Sequence, residues 1–470
     1  MRAYPLTVPD ASIFKAYDIR GIIDRTLTPE AAFSIGLAIG SEAQARGVGE
    51  IVIGRDGRLS GPTLAEALSC GIRQAGVGVI DIGAVPTPVT YFAAEHLGTR
   101  SCVSVTGSHN PPEYNGFKMV LGGETLFGPL ILDLRRRLVE GDLIRAETPA
   151  NQRKVDVVPD YIARITSDVK LARPIRIAVD CGNGVAGAVA PQLLRALGAN
   201  LDCLYCEVDG TFPNHHPDPS KPENLEDLIA QARTTDVELG LAFDGDGDRL
   251  GVVTKNGTLI YPDRQLMLFA ADLLKRQPGA TIVFDVKCTR LLSQWIRSHG
   301  GQPLMAKTGH AFIKKTLKES GALLAGEMSG HLFFKERWYG FDDGLYAAAR
   351  LLEIVTQVAD PTALLESLPN SLATPEINLK MHEGEPHALI EKLQRELPFP
   401  GAQEVITIDG VRVEYADGFG LARASNTTPV LVLRFEADNQ KALTRIVHDF
   451  ATALTQVWPP IDLTPLQAFL

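Results

Sequence analysis

The sequence predicts an α/β protein in which three related domains with mixed or mostly parallel sheets, and a C-terminal α+β domain, surround a central cleft. Three observations carry this prediction: one strand–helix unit recurs three times, each copy ends in a chemically distinct loop, and the C-terminal part follows another pattern. At 470 residues the chain is also too long for one core. We expect domains at residues 1–153, 154–257, 258–370 and 371–470.

The repeated unit starts with a β-branched strand that ends at an aspartate, continues into a helix, and returns as a short strand. The starting strands are Ile51–Gly57, Ile175–Gly182 and Thr281–Lys287; the helices are Leu64–Gly76, Val189–Gly198 and Leu291–His299; the short strands are Val77–Ile82, Leu201–Val208 and Pro303–Ala306. A further strand in each unit leads into the distinctive loop: Thr106–Pro111, Asp244–Arg249 or Gly326–His331. Because ligands collect at the carboxyl ends of strands in such sheets, we expect the three loops to serve one site.

The C-terminal part predicts an α+β domain. Ile406–Val413 has the pattern of a hairpin around an Asp409-Gly410 turn, further strands are predicted at Phe419–Ala424 and Val430–Phe435, and a helix at about residues 439–455. A polar, proline-containing segment from about Pro361 to Pro375 precedes this domain. Such a junction predicts that domain 4 is a mobile lid.

Composition limits the classes of partner. The net charge is 46 − 56 = −10 without basic runs, which argues against nucleic acid, and no apolar run approaches the ~20 residues of a membrane span. The amino terminus lacks the apolar segment of a signal peptide, so a cytoplasmic location is expected. Cys203-x-x-Cys206 could indicate a redox or zinc site, but no second pair accompanies it. We therefore expect all six cysteines to be reduced and packed.

The first loop presents a serine. Ser101–Val105 alternates as a strand does, and the glycine, asparagine and two prolines that follow predict a tight ordered loop carrying the Ser108 hydroxyl beside His109. A serine is a poor nucleophile unless a base or a cation activates it. The loop is not a Gly-x-Ser-x-Gly elbow, because positions 106 and 110 are Thr and Asn.

The second loop predicts a metal site. Asp244, Asp246 and Asp248 alternate with glycines, and in an extended segment alternate side chains point the same way. Three converging carboxylates favour Mg²⁺ or Ca²⁺ over zinc. An EF-hand is excluded, because Arg249 and Lys255 stand where its glycine and glutamate would be.

Two more loops carry groups suited to sugars and phosphates. Arg423-Ala-Ser-Asn-Thr-Thr-Pro429 combines a guanidinium with hydroxyls and an amide, which suits a phosphate. Gly326–His331 offers a carboxylate, a hydroxyl and an imidazole for sugar hydroxyls, with Lys287 and His310 expected on the same rim. Each of these loops could also be an ordinary polar loop when taken alone.

A competing interpretation rests on Gly182-Asn-Gly-Val-Ala-Gly187, which has the spacing of a dinucleotide-binding loop, with Asp202 about twenty residues on. It predicts an NAD-type oxidoreductase. Pro191 follows early in the next helix, and the interpretation leaves the serine, aspartate and arginine loops unexplained. A non-catalytic sugar-phosphate-binding protein is a further alternative, although binding alone needs no serine beside a cation site.

Together the loops favour a sugar-phosphate mutase. A phosphoserine at Ser108 would complete the coordination of a cation held by the three aspartates, and Arg249 would add a counter-charge. The loop at 423–427 would then hold a second, non-reacting phosphate. Two phosphate subsites beside a loop that binds hydroxyls describe such an enzyme.

The four loops Thr106–Pro112, Asp244–Arg249, Gly326–His331 and Arg423–Pro429 resemble the signature loops of the α-D-phosphohexomutase superfamily. The resemblance runs from Ser12–Gly21 to Glu436, and Met328 fits its mannose/glucose branch. It implies an isomerase, a magnesium-dependent phosphoprotein, that interconverts the 1- and 6-phosphates of glucose and mannose. Phosphorylated Ser108 and a hexose 1,6-bisphosphate intermediate, with glucose 1,6-bisphosphate as activator, would carry the reaction.

The resemblance also implies residue roles. The catalytic candidates are Ser108, His109, Lys118, Arg20 and His331; the metal ligands are Ser108, Asp244, Asp246 and Asp248; the substrate contacts are Tyr17, Arg249, Lys287, His310, Glu327, Met328, Ser329, Gly330, His331, Arg423, Ala424, Ser425, Asn426 and Thr427. The general base stays open among His109, Lys118 and His331. A monomer that supplies exopolysaccharide or lipopolysaccharide precursors in a bacterium is what the resemblance suggests.

Overall fold

A computed structural model of the chain describes residues 4–396, 399–426 and 428–470. The chain forms two compact units, one of Met1–Pro262 with Ser329–Ser367 and the other of Asp263–Met328 with Leu368–Leu470. The division falls inside the predicted sugar loop, between Met328 and Ser329. The four predicted domain boundaries stay a prediction.

In chain order the elements up to residue 254 are β1 (Ile19–Ile22), α1 (Pro29–Ala45), β2 (Glu50–Arg55), α2 (Gly61–Gln74), β3 (Gly78–Ala84), α3 (Thr87–His96), β4 (Cys102–Val105), β5 (Tyr114–Leu121), β6 (Glu124–Thr125), α4 (Pro129–Glu140), β7 (Gln152–Lys154), α5 (Val158–Asp168), β8 (Ile175–Asp180), α6 (Ala190–Ala196), β9 (Ala199–Leu204), α7 (Glu226–Thr234), β10 (Leu239–Phe243) and β11 (Leu250–Thr254).

The remaining elements are α8 (Pro262–Arg276), β12 (Thr281–Asp285), α9 (Leu291–Ser298), β13 (Gln302–Ala306), α10 (His310–Ser320), β14 (Leu324–Gly326), β15 (Leu332–Phe334), α11 (Gly344–Val355), α12 (Pro361–Glu366), β16 (Leu372–Ala373), β17 (Ile377–Lys380), α13 (Glu385–Glu396), β18 (Glu404–Ile406), β19 (Val411–Tyr415), β20 (Gly418–Ala424), β21 (Val430–Ala437) and α14 (Gln440–Val457).

The first unit contains two mixed sheets. One has the order β1-β5-β4-β2-β3-β7, with β6 beside β5, and β2, β3, β4 and β7 are parallel while β5 runs against β4 and β1. The other has the order β11-β10-β8-β9, parallel except at β11. The parallel central strands are buried on both faces, as their apolar, β-branched sequences require. Their carboxyl ends carry the serine and aspartate loops.

The second unit contains a parallel group β13-β12-β14 and an antiparallel sheet β16-β21-β20-β19-β18 with β17 beside β21. Helices α13 and α14 cover one face of the antiparallel sheet, where Leu431, Leu433 and Phe435 share one buried cluster with Phe450 and Leu454 of α14. Leu421 and Phe419 of β20 are buried in a separate cluster with Val286. This sheet is the predicted α+β arrangement. The predicted fold class is confirmed.

Most predicted elements lie where the sequence placed them, including the three repeated strand–helix–strand units and the hairpin around Gly410, whose φ is +87°. The proline-containing segment from Pro361 to Pro375 contains regular structure, because Pro361–Glu366 forms α12 and Leu372–Ala373 pairs with β21. Asp360 caps α12 by accepting a hydrogen bond from the Ala363 N–H at 3.0 Å.

Two expectations about absences concern the described residues alone. None of their helices has both the length and the apolarity that crossing a membrane requires. All six cysteines lie among the described residues, and no disulfide bond joins any of them.

Candidate active site

The Ser108 loop is anchored by a buried aspartate at the end of the first repeated strand. Asp56 Oδ2 accepts hydrogen bonds from Thr106 Oγ1 at 2.8 Å and from the Gly107 N–H at 3.0 Å. Thr106 Oγ1 in turn accepts from the Ser108 N–H at 2.7 Å. The aspartate that ends each repeated strand therefore has a local role in this first copy: it fixes the backbone that leads into the serine.

A buried arginine holds the other side of the same loop. The Arg58 guanidinium donates to the carbonyl oxygens of Ser108 at 2.8 Å, Asn110 at 2.5 Å, Pro111 at 2.5 Å and Tyr114 at 3.0 Å. Its Nε also donates to Asp56 at 3.2 Å, and the side chain is only 1% exposed. One planar guanidinium thus donates to four loop carbonyls, and the Pro111 carbonyl also accepts from the Tyr114 N–H at 3.0 Å.

Ser108 is held in an uncommon backbone conformation, with a φ of +50°. Its Oγ lies 3.1 Å from His109 Nδ1 and 3.3 Å from Asp244 Oδ2. Gly245 packs directly on the serine, because a Cβ at position 245 would lie 2.4 Å from the Ser108 carbonyl oxygen. The serine hydroxyl therefore lies within hydrogen-bond distance of both an imidazole and the aspartate loop.

Asp244, Asp246 and Asp248 each have a carboxylate oxygen within 4.8 Å of the others, and all three are fully buried. The extended geometry expected from their spacing was wrong. The loop turns sharply instead, with the Gly247 N–H donating to the Asp244 carbonyl at 3.1 Å and Gly247 at a φ of +76°. Convergence therefore comes from the turn rather than from strand alternation.

These carboxylates suit a hard cation. Asp246 Oδ1 is buried and accepts no hydrogen bond from any residue that the structure describes, while Asp246 Oδ2 accepts from Thr87 Oγ1 at 2.6 Å. Burial and the adjacent Asp248 and Asp246 carboxylates raise the pKa of Asp244 well above its usual range. A buried oxygen without a donor and a surplus of negative charge both favour a divalent cation held by oxygen ligands.

Lys118 projects from β5 into this cluster. Its Nζ donates to Asp246 Oδ2 at 2.8 Å and to Asp248 Oδ2 at 2.5 Å. Burial alone would lower the pKa of Lys118, but the two carboxylates outweigh burial and raise it above its usual range. Lys118 is thus an ammonium ion that neutralises part of the cluster, which is a poor state for accepting a proton.

His109 and His331 approach the site from opposite loops. Burial, with the nearby Arg249, Arg20 and Lys118 charges, lowers the pKa of His109 well below its usual value. His331 Nε2 lies 3.3 Å from Asp248 Oδ1 and 3.4 Å from Arg249 Nε, and its Nδ1 lies 3.1 Å from Ser329 Oγ. A neutral His109 beside the serine Oγ is able to accept a proton.

Two arginines frame the serine. Arg20, on β1, donates through Nη1 to Asn110 Oδ1 at 2.5 Å and pairs through Nη2 with Asp18. The Arg249 N–H donates to Asp244 Oδ1 at 3.1 Å, which ties the arginine to the aspartate loop. Tyr17 is half-buried just before β1. The structure therefore brings Arg20, Ser108, His109, Lys118, the three aspartates, Arg249 and His331 together.

In the second unit, aspartates connect the remaining loops. Asp285, at the end of β12, accepts from the Met328 N–H at 3.1 Å and from Thr308 Oγ1 at 2.9 Å. Glu327 accepts from the Gly309 N–H at 2.5 Å, immediately before His310, the first residue of α10. The Met328 backbone is thus tied to Asp285, and the Glu327 side chain to the backbone next to His310.

The arginine loop follows β20 in the same unit. Arg423 Nε donates to Asp409 Oδ2 at 3.1 Å, and Asp409 also accepts from the Thr308 N–H at 3.0 Å. Lys287 Nζ pairs with Glu376 at 2.9 Å. The predicted contacts Ala424, Ser425 and Asn426 continue from Arg423, with Ser425 and Asn426 half-buried, whereas Thr427 lies outside the described residues.

Three residues that shape the serine and aspartate loops were missed from the sequence: Asp56, Arg58 and Thr87. A signal for the first was available, because Asp56 ends the first of three repeated strands. Thr87 accompanies Asp246 through the pair of hydrogen bonds formed by its Oγ1 and its N–H, the latter donating to the Asp246 carbonyl at 2.9 Å. Nothing in the local sequence indicates this long-range contact.

The glycine-rich loop of the competing interpretation is filled by protein. A Cβ at Gly187 would lie 2.1 Å from the Cys206 carbonyl oxygen, and one at Gly184 would lie 3.0 Å from Gly245. The Val185 N–H donates to the Gly245 carbonyl at 3.1 Å, and α6 begins only at Ala190. The close approaches that suggested a pyrophosphate are made by the aspartate loop and by Cys206.

A serine against buried carboxylates, on repeated α/β domains, defines a class of phosphoryl-transfer enzymes. Four profiles of one family match in chain order: phosphoglucomutase/phosphomannomutase alpha/beta/alpha domain I at residues 11–132, domain II at 159–257, domain III at 261–372, and the C-terminal domain at 376–453.

Individual proteins with names from the same family are similar to this chain over nearly its whole length. The chain is 57% identical to a phosphomannomutase/phosphoglucomutase of Pseudomonas aeruginosa, over 96% of this chain and 97% of that protein. It is 56% identical to a phosphoglucomutase of Neisseria meningitidis, over 95% and 98%. A crystal structure of a phosphoglucomutase/phosphomannomutase family protein from Burkholderia thailandensis has a TM-score of 0.93 at 57% identity, covering 97% of this chain and 99% of that one.

The chain therefore belongs to the phosphoglucomutase/phosphomannomutase family. The predicted membership of the α-D-phosphohexomutase superfamily is confirmed, and so is the prediction of a mutase. The oxidoreductase interpretation is not supported.

Proposed function

We propose that this chain interconverts the 1-phosphates and 6-phosphates of glucose and mannose through a phosphorylated Ser108. The family supports a phosphohexomutase, and the position of Ser108 Oγ against Asp244 and His109 is the observation that carries the proposal. The two relatives described above differ in their names, one for glucose alone and one for both sugars. Activity on mannose phosphates is therefore the more specific claim of the proposal.

Ser108 gives up and regains the phosphoryl group in turn. Phosphoserine 108 donates its phosphoryl group to the free hydroxyl at C1 or C6, which gives a hexose 1,6-bisphosphate. The other phosphate of this intermediate is then returned to Ser108. Glucose 1,6-bisphosphate is accordingly expected to activate the unphosphorylated chain, because it carries the phosphoryl group that Ser108 needs.

Asp244, Asp246 and Asp248 are proposed to hold Mg²⁺ together with the oxygens on Ser108. When bound, the ion would supply positive charge to the transferring phosphoryl group. The fit rests on the hard oxygen donors, on their mutual approach within 4.8 Å, and on the buried Asp246 Oδ1. Lys118 neutralises the opposite oxygens of Asp246 and Asp248, so the cluster keeps one side for the ion.

We propose His109 as the group that handles the proton of the serine hydroxyl. Its Nδ1 is 3.1 Å from Ser108 Oγ, and burial keeps its imidazole neutral. Lys118 is favoured less, because its pKa is raised by the carboxylates it contacts. Arg20 and Arg249 are proposed to stabilise the charge on the phosphoryl group, together with His331.

The sugar and its distal phosphate are assigned to the remaining loops. Glu327 and Ser329 are proposed to bind the 3- and 4-hydroxyls, with Met328 and Gly330 shaping the loop, and Tyr17, Lys287 and His310 as further contacts. Glucose and mannose differ only at C2, so a site that does not contact C2 discriminates weakly between them. Arg423, Ala424, Ser425, Asn426 and Thr427 are proposed to hold the phosphate that does not react.

The proposal also includes four domains with the predicted boundaries, of which domain 4, at residues 371–470, is movable. We further propose that the chain is a monomer and that its location is cytoplasmic. Product use in bacterial exopolysaccharide or lipopolysaccharide synthesis would follow from mannose and glucose 1-phosphates as products. Gel filtration with light scattering would test the monomer directly.

The decisive experiment maps phosphate on peptides after incubation with magnesium and glucose 1,6-bisphosphate. We expect phosphate on Ser108, removed again when glucose 1-phosphate or mannose 1-phosphate is added, and no phosphate on the Ser108→Ala control. An unmodified Ser108 in folded protein with demonstrated magnesium binding would overturn the proposed function. If glucose 1-phosphate removed the phosphate from Ser108 but mannose 1-phosphate did not, the proposal that mannose phosphates are substrates would be overturned.

A further inference from the structure

Three cysteines meet at one edge of the second sheet of the first unit. Cys181 directly follows β8, Cys203 lies on β9, and Cys206 follows β9 by two residues. The Sγ atoms of Cys206 and Cys181 are 3.5 Å apart. Cys203 is exposed, Cys206 is half-buried, and Cys181 is buried, so the group extends from the surface to the interior.

Strand pairing creates this group. β8 and β9 are parallel with Val179 opposite Cys203, and the pairing continues beyond the strands, where the Cys181 N–H donates to the Leu204 carbonyl at 3.2 Å. Tyr205 then turns the chain with a φ of +49°, and Cys206 comes to lie beside Cys181. The backbone positions of Cys181 and Cys206 are thus set by strand pairing and by a second hydrogen bond, from the Asn183 N–H to the Tyr205 carbonyl at 2.8 Å.

Cys206 is the thiol with two sulfur neighbours. Its Sγ lies 3.5 Å from Cys181 Sγ, and its thiol also reaches the carbonyl oxygens of Leu204 at 3.5 Å and Val179 at 3.7 Å. The contact with Cys181 lowers the pKa of Cys206 although burial opposes this, and the same contact, with burial, raises the pKa of Cys181. An attacking thiol beside a protonated partner is the usual arrangement for oxidation to a disulfide. The Arg195 guanidinium, 3.5 Å from Cys203 Sγ, places a positive charge at the exposed end.

We propose that Cys206 and Cys181 form a reversible disulfide bond when the chain meets a hydroperoxide. The Cys206 thiolate attacks the terminal peroxide oxygen; the O–O bond breaks, and the alcohol or water leaves with a proton, which gives a sulfenic acid. The Cys181 thiol then attacks the Cys206 sulfur; the S–O bond breaks and water leaves. Two thiols are oxidised by two electrons, and one peroxide is reduced.

The bond would reach the aspartate loop through the glycine-rich segment. The two sulfurs must close from 3.5 Å to about 2.05 Å and take up the fixed torsion angle of a disulfide bond, which constrains the chain at Cys181 and Cys206. Gly187 packs against the Cys206 carbonyl, and Val185 donates to Gly245 between the predicted metal ligands Asp244 and Asp246. A shift at Cys206 would therefore be transmitted to the support of the aspartate loop, and we expect slower turnover in the oxidised chain.

The test treats the folded full-length chain with hydrogen peroxide, blocks remaining thiols, and identifies linked peptides by mass spectrometry without reduction. We expect a Cys181–Cys206 linked peptide, a matching loss of mutase turnover, and recovery of both on adding dithiothreitol. The Cys181→Ser variant should lose the link, while the matched control Cys203→Ser, altered at an exposed position on the neighbouring strand β9, should keep it.

The formation of the disulfide bond and its effect on turnover are two separate measurements. A link between Cys203 and Cys206 in the wild type, or Cys206 oxidised to the sulfinic acid without any link, overturns the assignment. A Cys181–Cys206 link with unchanged turnover overturns the coupling to the aspartate loop. Because the link is read by mass, its presence or absence is decided even where the mutase assay shows no activity.

Discussion

The Ser108 loop and the Arg423 loop both contact phosphate in the proposed mechanism, yet their surroundings differ. The Ser108 loop is held by Asp56 from one side and by four hydrogen bonds from Arg58 on the other. The Arg423 loop follows β20, a central strand of the antiparallel sheet, and its Ser425 and Asn426 are half-buried. A loop that transfers a group needs fixed atoms. The proposed role of the Arg423 loop is to bind the non-reacting phosphate while the substrate takes either of two orientations. Such a loop needs hydrogen-bond donors more than a rigid backbone.

The largest effect is expected from Ser108→Ala, which removes the atom that carries the phosphoryl group. We expect turnover to fall by at least about a thousandfold, as for other lost nucleophiles, with the thermal transition of the protein retained. Steady-state kinetics with glucose 1-phosphate and glucose 1,6-bisphosphate would measure it. Turnover within tenfold of the wild type would contradict the role, on the scale of that expectation.

Asp246→Asn tests the cation site on the other side of the serine. Replacing one of three carboxylates should weaken magnesium binding and lower turnover by more than about tenfold, partly restored at high magnesium. Removing the ion from the wild type with a chelator should abolish turnover, and added magnesium should restore it. Identical magnesium dependence in the variant and the wild type would exclude Asp246 as a ligand.

Arg58→Met tests whether the rigid loop depends on its guanidinium. The variant removes one donor from each of four loop carbonyls and the charged partner of buried Asp56, and removing one partner of a buried ion pair costs about 3–5 kcal/mol. We expect a lower midpoint of denaturant unfolding and a reduced kcat. Arg153→Met, which removes an exposed arginine that pairs with Glu50, is the control and should leave both unchanged. Equal stability of the two variants would contradict the bracing role.

Arg423→Lys tests the role of the guanidinium in the phosphate-binding loop. The expected change is in KM rather than in stability. Lysine keeps the charge but loses the fork that binds two phosphate oxygens, so KM should rise by about tenfold while stability is retained. The parameter that changes thus separates the two loops: Arg58 should affect unfolding and kcat, and Arg423 should affect KM. A stability loss as large as that of Arg58→Met would remove the contrast between the loops.

The sequence was sufficient to predict the parts of the molecule that depend on local chemistry. Repeated strands ending in aspartates predicted three α/β units, and Asp244, Asp246 and Asp248 were predicted to converge. It did not predict how they converge, because a positive φ at Gly247 turns a segment whose spacing fits an extended strand equally well. Arg58 and Thr87 were missed, since their partners lie 50 to 159 residues away. Contacts over such separations depend on tertiary packing and leave no local pattern.

The glycine-rich loop shows the same limit from the other direction. Gly182–Gly187 carries the spacing of a phosphate-binding loop, and its glycines are needed for close approach, but the groups that approach are Gly245 and Cys206. The spacing of glycines indicates that the backbone lies close to another group. It does not indicate whether that group belongs to a ligand or to another part of the chain.

The smallest predicted effect concerns pH and His109. Because burial lowers the pKa of His109 in the folded chain, the unfolded chain binds a proton on this residue at a higher pH, near its ordinary pKa of about 6.5. Its contribution to stability is therefore fully present above about 6.5 and is lost as the pH falls from there towards the folded pKa. The His109→Gln variant lacks this loss, so its melting temperature should fall less than that of the wild type between neutral and mildly acidic buffers. An equal or larger fall in the variant would mean that His109 is not held neutral beside Ser108, and the proposed proton acceptor would have to be sought at His331.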